Sequence, residues 1–184
     1  MSTQDNIADS GLLLGMAGWP RPDWEGGYFP EDLPQDWQFG YYSNDADCLL
    51  LRAGQWRGID PDELEDWLQD VDEAFRFYVE AAEGVDEQVL ETMGPHLGGL
   101  LVENFRQIDR RWPQFRPDAS GYWLDHEGQP RVRVLDDLPL NLREQRMLLE
   151  HLPVGLQALI IADIAADPGL LADMRKVAQL LGIA

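Results

Sequence analysis

Three carboxylates lie at or just after the ends of apolar runs that predict β-strands. They are Glu80 after Phe75–Val79, Glu103 after Gly99–Val102, and Asp163 after Leu156–Ile161. Since the carboxyl ends of parallel strands meet at one rim of an α/β fold, we expect these side chains at a common edge. Carboxylates within about 4–6 Å of one another raise a pKa or bind a divalent cation, which suits acid–base chemistry or metal-assisted hydrolysis. Alternatively, each carboxylate caps the next helix or is solvated.

A second group of candidates is a run of arginines interleaved with aromatic residues. It consists of Arg106, Arg110, Arg111 and Arg116, with Phe105, Trp112 and Phe115 between them. Arginine and aromatic side chains together can stack on and clamp single-stranded RNA. Arg131 and Arg133 join this group if they lie on one face of a strand. The alternative, which we favour, is an amphipathic segment whose arginines pair with acidic residues, because a net charge of −20 weakens the capture of phosphate.

The third candidate is an acidic helix that begins at Asp60. Pro61 follows this N-cap residue and Glu63 completes a capping box, so the start of the helix is well defined. The polar face carries the carboxylates of Asp62, Glu65 and Asp66. This face is either a docking surface for a basic protein partner or simply a solvated surface.

An aromatic loop follows the first apolar run. Residues 12–14 are leucines bounded by Gly15, which predicts a buried strand. Prolines 20, 22, 30 and 34 exclude a helix from the loop that follows. Trp19, Trp24 and Tyr28 either line a rim pocket for a small ligand or only hold the loop down by packing.

Composition restricts the class of protein. The chain has 184 residues, 45 % of them hydrophobic, which predicts one globular domain over residues 11–184 after a flexible N-terminus at residues 1–10. A surface with 34 acidic and 14 basic residues argues against nucleic-acid binding by the surface as a whole and favours basic partners. The single cysteine, Cys48, allows no internal disulfide. With no signal peptide and no apolar run of about 20 residues, we expect a cytoplasmic protein.

Sequence patterns for cofactors are lacking. His96, His126 and His151 share no metal-ligand spacing, and neither a nucleophile elbow nor a phosphate-binding glycine loop occurs. We therefore expect neither a metal nor a cofactor.

Strands alternate with helices along the chain, which predicts a parallel sheet with helices outside it. Besides the strands named above, the pattern predicts strands at Gln38–Tyr42 and Asp47–Leu51 and a β-hairpin formed by Tyr122–Leu124 and Arg131–Leu135. Helices are predicted after Asp60, Asp86, Phe105, Asn141 and Asp167, the last ending at Gly182.

The opening motif resembles that of a known family. Gly15-Met16-Ala17-Gly18-Trp19, Asp23-Trp24, Tyr28-Phe29-Pro30 and Leu33-Pro34 are similar to the start of the YecE-like family, domain of unknown function 72. Phe75–Val79 and Met93-Gly94-Pro95 resemble two of its later strand segments. Met16 and Ala17 stand where the family has Thr and Ser, and Glu80 stands where it has Lys. Counterparts of its Arg-His step and Asn-Asn pair are missing.

This resemblance implies a TIM-barrel-like fold of unsettled function. Because a complete barrel typically takes about 250 residues, a chain of 184 predicts a shortened or partly open barrel with one hairpin. For function we favour an acidic, non-catalytic interaction or regulatory protein. The alternatives are a carboxylate- or metal-dependent enzyme acting on a phosphorylated or carbohydrate substrate, and an RNA-associated factor.

Overall fold

The computed structural model describes residues 11–81, 85–105, 111–137, 141–163, 165–166 and 168–183. Three predicted features lie outside these residues: the flexible N-terminus, most of the helix predicted from Phe105, and Asp167 at the predicted start of the last helix. The strands are β1 (Leu13–Ala17), β2 (Cys48–Leu51), β3 (Arg76–Glu80), β4 (Leu97–Leu101), β5 (Gln114–Pro117), β6 (Tyr122–Leu124), β7 (Pro130–Leu135) and β8 (Ala158–Ile161). The helices are α1 (Gln35–Ser43), α2 (Pro61–Asp70), α3 (Glu87–Met93), α4 (Leu142–Glu150) and α5 (Gly169–Leu181).

The eight strands form a closed barrel in which each strand pairs with its neighbours in chain order. All pairs are parallel except those of β6 with β5 and with β7. Closure occurs between β8 and β1, where Leu13 lies opposite Ala158 and Gly15 opposite Ile160. The predicted α/β, TIM-barrel-like fold is therefore confirmed, and the barrel is closed rather than partly open.

A chain of this length closes the barrel because turns replace helices between β5 and β7. In the β5–β6 turn, Asp118 Oδ1 accepts hydrogen bonds from the backbone N–H groups of Ser120 and Tyr122, both at 2.8 Å. In the β6–β7 turn, Asp125 Oδ1 does the same for the N–H groups of Glu127 and Gln129, both at 2.9 Å. Such Asx turns reverse the chain within a few residues, so the barrel keeps its strands and omits helices.

Alternation along the strands separates two apolar layers. Cys48, Leu50, Tyr78, Phe115 and Ile160 belong to the cluster inside the barrel, whereas neighbours in the helix-covered strands pack under the helices, among them Leu49, Phe77 and Leu159. Glycines make room for the inner layer. A Cβ at position 15 would lie 2.1 Å from the Cys48 carbonyl oxygen, and one at position 98 would lie 2.7 Å from the Tyr78 ring.

One sequence prediction of secondary structure was wrong, and one strand was missed. The segment Gln38–Tyr42, predicted as a strand, lies in α1, because Phe39 and Tyr42 recur at helical spacing and are buried together. Strand β5 was missed because it is short and ends in a proline, although Phe115 is buried inside the barrel. None of the helices in the described ranges is long and apolar enough to span a bilayer.

Candidate functional site

The loop between β1 and α1 is held by aromatic packing. Trp19 and Trp24 are 5 % and 3 % exposed, and the Trp19 ring centroid lies 5.2 Å from that of Phe39. Trp24 Nε1 donates a hydrogen bond of 3.1 Å to the carbonyl of Ala166, which lies after β8. Tyr28 is half-buried, and its hydroxyl donates to an Asp45 carboxylate oxygen at 2.8 Å. This arrangement favours the packing role of the three aromatics over direct contact with a ligand.

Arg21 fixes the same loop to the end of β1. Its guanidinium lies 4.4 Å from the Trp24 ring centroid and donates to the Ala17 carbonyl at 3.2 Å. It also pairs with Asp23, with 2.6 Å between Nη2 and Oδ2. The hydrogen bond from Arg21 holds the pKa of the Asp23 carboxyl below its ordinary value. The loop is thus rigid at the point where it leaves the barrel.

Glu80 lies at the mouth of the barrel and is engaged by residues of the segment that follows β2. Its carboxylate forms an ion pair with Arg52 and accepts a hydrogen bond of 3.3 Å from the Ala53 N–H. Its backbone carbonyl accepts from Nε1 of the buried Trp56 at 2.8 Å. The Glu80 and Arg52 side chains keep 24 % and 41 % exposure, so the pair faces solvent. Sequence reasoning missed Arg52, although it directly follows a predicted strand.

The other two strand-end carboxylates have separate surroundings. Glu103 is exposed, whereas Asp163 is half-buried and its Oδ1 accepts a hydrogen bond of 2.8 Å from the Ala165 N–H. In the described ranges, no group of three or more His, Cys, Asp or Glu residues is placed to hold a metal ion. Glu80, Glu103 and Asp163 therefore do not form the metal site that was expected if the three carboxylates lay close together at one edge of the sheet.

Helix α2 presents the acidic face that the sequence predicts. Asp60 caps it by accepting a 2.9 Å hydrogen bond from the Asp62 N–H, and its inner face buries Leu64 and Trp67. The side chains of Asp62, Glu65 and Asp66 are exposed. Across the residues that the structure describes, their carboxylates have no ion-pair partner. Three negative charges are thus displayed on one firmly anchored helix.

The described members of the arginine cluster contact acidic and aromatic side chains. Arg106 and Arg110 lie outside the described residues. Arg111 pairs with Glu91 at 3.3 Å, and its guanidinium lies 4.8 Å from the Trp112 ring centroid. The Arg116 guanidinium lies 5.7 Å from the Phe105 ring centroid.

The two arginines of β7 are also engaged. Arg131 pairs with Asp125 at 2.7 Å, and Arg133 donates to the Tyr122 hydroxyl. Burial raises the pKa of Asp125, but the hydrogen bonds from Arg131 and from the turn N–H groups outweigh it, so the pKa is lowered overall.

A cavity of about 410 Å³ lies where the β1–α1 loop meets the start of α1. It is lined by Glu25, Gly26, Pro30, Glu31, Leu33, Gln35 and Gln38. None of the three aromatics predicted to bind a ligand lines it. Sequence reasoning missed this site because it placed Gln38 in a strand, although a helix beginning just after Pro34 was a readable signal.

Comparison with known proteins identifies the family. A family model described as "Protein of unknown function DUF72" matches residues 13–110, which is more than half of the chain. This chain belongs to the DUF72 family. The resemblance to the YecE-like family, domain of unknown function 72, is thereby confirmed. No match was found among curated proteins.

Solved structures of DUF72 proteins share the fold. One from Thermotoga maritima is 14 % identical, with a TM-score of 0.56 over 94 % of this chain and 100 % of that one. One from Enterococcus faecalis V583 is 10 % identical, with a TM-score of 0.55 over 96 % of this chain and 100 % of that one. At such identities the likeness is one of architecture alone.

Proposed function

We propose that this DUF72 protein is a cytoplasmic, non-catalytic interaction or regulatory protein that binds a basic protein partner. The observation that carries the proposal is the outer face of α2, where Asp62, Glu65 and Asp66 are exposed and have no ion-pair partner among the described residues. A rigid helix with unpaired charges loses little conformational entropy on binding, which favours recognition.

The overall charge supports the same role. A net charge of −20 attracts cationic surfaces over a distance of about 8–10 Å at physiological salt. Attraction of this kind increases the association rate more than it slows dissociation. We therefore expect binding that weakens steeply as salt increases.

The two alternatives have less support. Glu80 is engaged by Arg52 and Ala53, and Asp163 by the Ala165 N–H, so these carboxylates hold the ends of strands in place. Arg111 and Arg116 contact acidic or aromatic side chains of the chain itself. A contribution of either group to catalysis or RNA binding would require these contacts to be exchanged for substrate contacts.

The test is a matched pair of charge-neutralised variants. One carries Asp62→Asn, Glu65→Gln and Asp66→Asn, and the control carries Glu127→Gln, Asp136→Asn and Asp137→Asn at exposed positions elsewhere. Both remove the same formal charge. A partner captured by affinity purification is identified and purified, and its affinity for each variant is then measured calorimetrically at low and high salt.

An exposed ion pair contributes up to about 1 kcal/mol to binding. If the three carboxylates together contribute about half of the maximum for three such pairs, their loss weakens the affinity roughly tenfold. We expect the α2 variant to bind at least tenfold more weakly and with a smaller dependence on salt, while the control changes by less than threefold. Equal loss in both variants would mean that net charge alone governs binding, and an unchanged α2 variant would refute the proposal.

A further inference from the structure

The cavity between the β1–α1 loop and α1 combines three kinds of surface. Glu25 and Glu31 contribute exposed carboxylates that have no ion-pair partner among the described residues. Pro30 and Leu33 contribute an apolar wall. A long side chain with an apolar stem and a cationic head matches this combination, because the stem packs on apolar atoms while the head meets the carboxylates.

Gln38 gives an independent indication of a ligand. It lines the cavity and is only 7 % exposed. Within the described part of the chain, its side-chain amide forms no hydrogen bond. Neither amide atom is enclosed without a partner, so the amide group reaches the surface of the cavity, where a ligand can replace water as its hydrogen-bond partner. An N–H donor entering the cavity would supply that partner at the amide oxygen.

The electrostatic balance favours a cation. The N-terminus of α1 carries a partial positive charge of roughly half an elementary charge, which by itself favours an anion. The two full negative charges of Glu25 and Glu31, with Asp36 in the first turn of α1, exceed it. A guanidinium suits the site better than an ammonium, since its five donors in a planar fork can serve carboxylates and an amide together.

The position of the cavity links it to the acidic face of α2. Helix α1 packs beside α2, where Ser43 Oγ donates to the Asp70 carbonyl at 3.4 Å. The outer side of α1 also exposes Trp37 by 68 % and Tyr41 by 38 %. Exposed aromatic rings next to carboxylates provide additional stacking surfaces for arginine. A basic segment lying along α2 can therefore continue over α1 to the cavity.

We propose that this cavity takes an arginine side chain of the basic protein partner and so anchors it. This inference rests on the proposed function, because it names the residue type by which the partner is recognised. The carboxylates of Glu25 and Glu31 receive the guanidinium, the Gln38 amide oxygen accepts one further N–H, and Pro30 and Leu33 pack against the methylene stem.

The experiment uses the full chain and synthetic nonapeptides. One peptide carries arginine at its centre among lysines, a second carries citrulline there, and a third carries lysine. Citrulline keeps the shape of arginine but is neutral. Binding is measured by calorimetry, and the side-chain amide resonances of Gln38 are followed by NMR. We expect the arginine peptide to bind at least tenfold more tightly than the citrulline peptide and also more tightly than the lysine peptide. Its binding should shift the side-chain amide resonances of Gln38.

Two variants test the site itself. The double substitution Glu25→Gln and Glu31→Gln changes exposed positions, and Gln38→Leu removes the amide at similar volume, with thermal unfolding measured to verify that both variants fold. We expect each variant to reduce the preference for arginine over citrulline at least fivefold. If both fold and retain the full preference, or if the lysine peptide binds equally well, the inference is overturned.

Further outcomes separate this inference from the proposed function. If free arginine amide binds as tightly as the peptide, the cavity is a small-molecule site and the docking proposal is overturned. If the α2 variant loses peptide binding while the cavity variants keep both binding and the preference for arginine, docking on the acidic face of α2 is supported and the arginine anchor is refuted. If the cavity variants lose the preference while the α2 variant binds normally, the anchor is supported and the α2 proposal fails.

Discussion

The Tyr42 hydroxyl bridges the first two strands of the barrel, and its removal tests how that junction is stabilised. Tyr42 is fully buried on α1. Its hydroxyl accepts a hydrogen bond of 3.0 Å from the Met16 N–H of β1 and donates one of 2.7 Å to the Cys48 carbonyl of β2. Burial raises the pKa of Tyr42 well above its ordinary value, so the hydroxyl stays protonated and able to donate. The substitution Tyr42→Phe removes both bonds and leaves the ring in place.

The magnitude follows from the two backbone groups left behind. A buried polar group deprived of its partner costs about 1–3 kcal/mol. The parallel pairing of β1 with β2 places the Met16 N–H beside the Cys48 carbonyl, so the two groups can satisfy each other in part, and we expect a net loss of about 3 kcal/mol rather than the full sum. For a chain of this size, each kcal/mol lowers Tm by roughly 2–4 °C, which predicts a decrease of roughly 6–12 °C.

Tyr41→Phe is the matched control, because it removes the same atom from the adjacent residue. Tyr41 is 38 % exposed, and its hydroxyl has no hydrogen-bond partner among the described residues. We expect its free energy of unfolding to change by less than about 0.5 kcal/mol, as is usual for surface substitutions. The assay is chemical denaturation, with calorimetry for Tm. A Tyr42→Phe protein as stable as the Tyr41→Phe protein would refute the view that the hydroxyl supports the β1–β2 junction.

Three further predictions concern stability. Gly15→Ala places a Cβ 2.1 Å from the Cys48 carbonyl oxygen, so it should lower Tm more than Tyr42→Phe does; an equal or higher Tm in calorimetry would contradict the packing. Asp60→Ala removes the cap of α2 and should cost about 1 kcal/mol in chemical denaturation, whereas no change would mean that the cap is dispensable. The lowered carboxyl pKa values of Asp23 and Asp125 stabilise the fold above the unfolded pKa of about 4. This contribution should disappear as the pH falls below that value, which measurements of Tm from pH 6 to pH 2 will show. In a variant with both residues replaced by Asn, Tm should fall less over the same pH range.

Local sequence signals were sufficient where a segment's structure depends on its own residues. Asp60 and Pro61 predicted the start of α2, because capping requires residues that are adjacent in the chain. The apolar runs in β2 and β8 predicted buried strands, because a continuous apolar run is also a property of adjacent residues. The acidic face of α2 followed from helical periodicity alone.

Local sequence signals failed to predict the secondary structure of segments that depend on contacts with residues far away in the chain. The propensities of Gln38–Tyr42 allow either a strand or a helix, and the packing of Phe39 and Tyr42 against the barrel decides in favour of α1. Strand β5 is defined by its pairing with β4 and β6 rather than by its composition. The sequence therefore showed where polar residues follow strands but not which of them meet.

The amino-acid sequence by itself determined the family, the α/β alternation, the acidic surface and the start of α2, since all of these reside in neighbouring residues or in overall composition. Only the tertiary structure decided that the barrel closes, that Arg52 binds Glu80, and that Gln38 lies in a cavity with Glu25 and Glu31. These features depend on contacts between residues far apart in the chain or on the direction in which a helix presents a side chain. Such contacts arise from the packing of the whole barrel, and no local pattern encodes them.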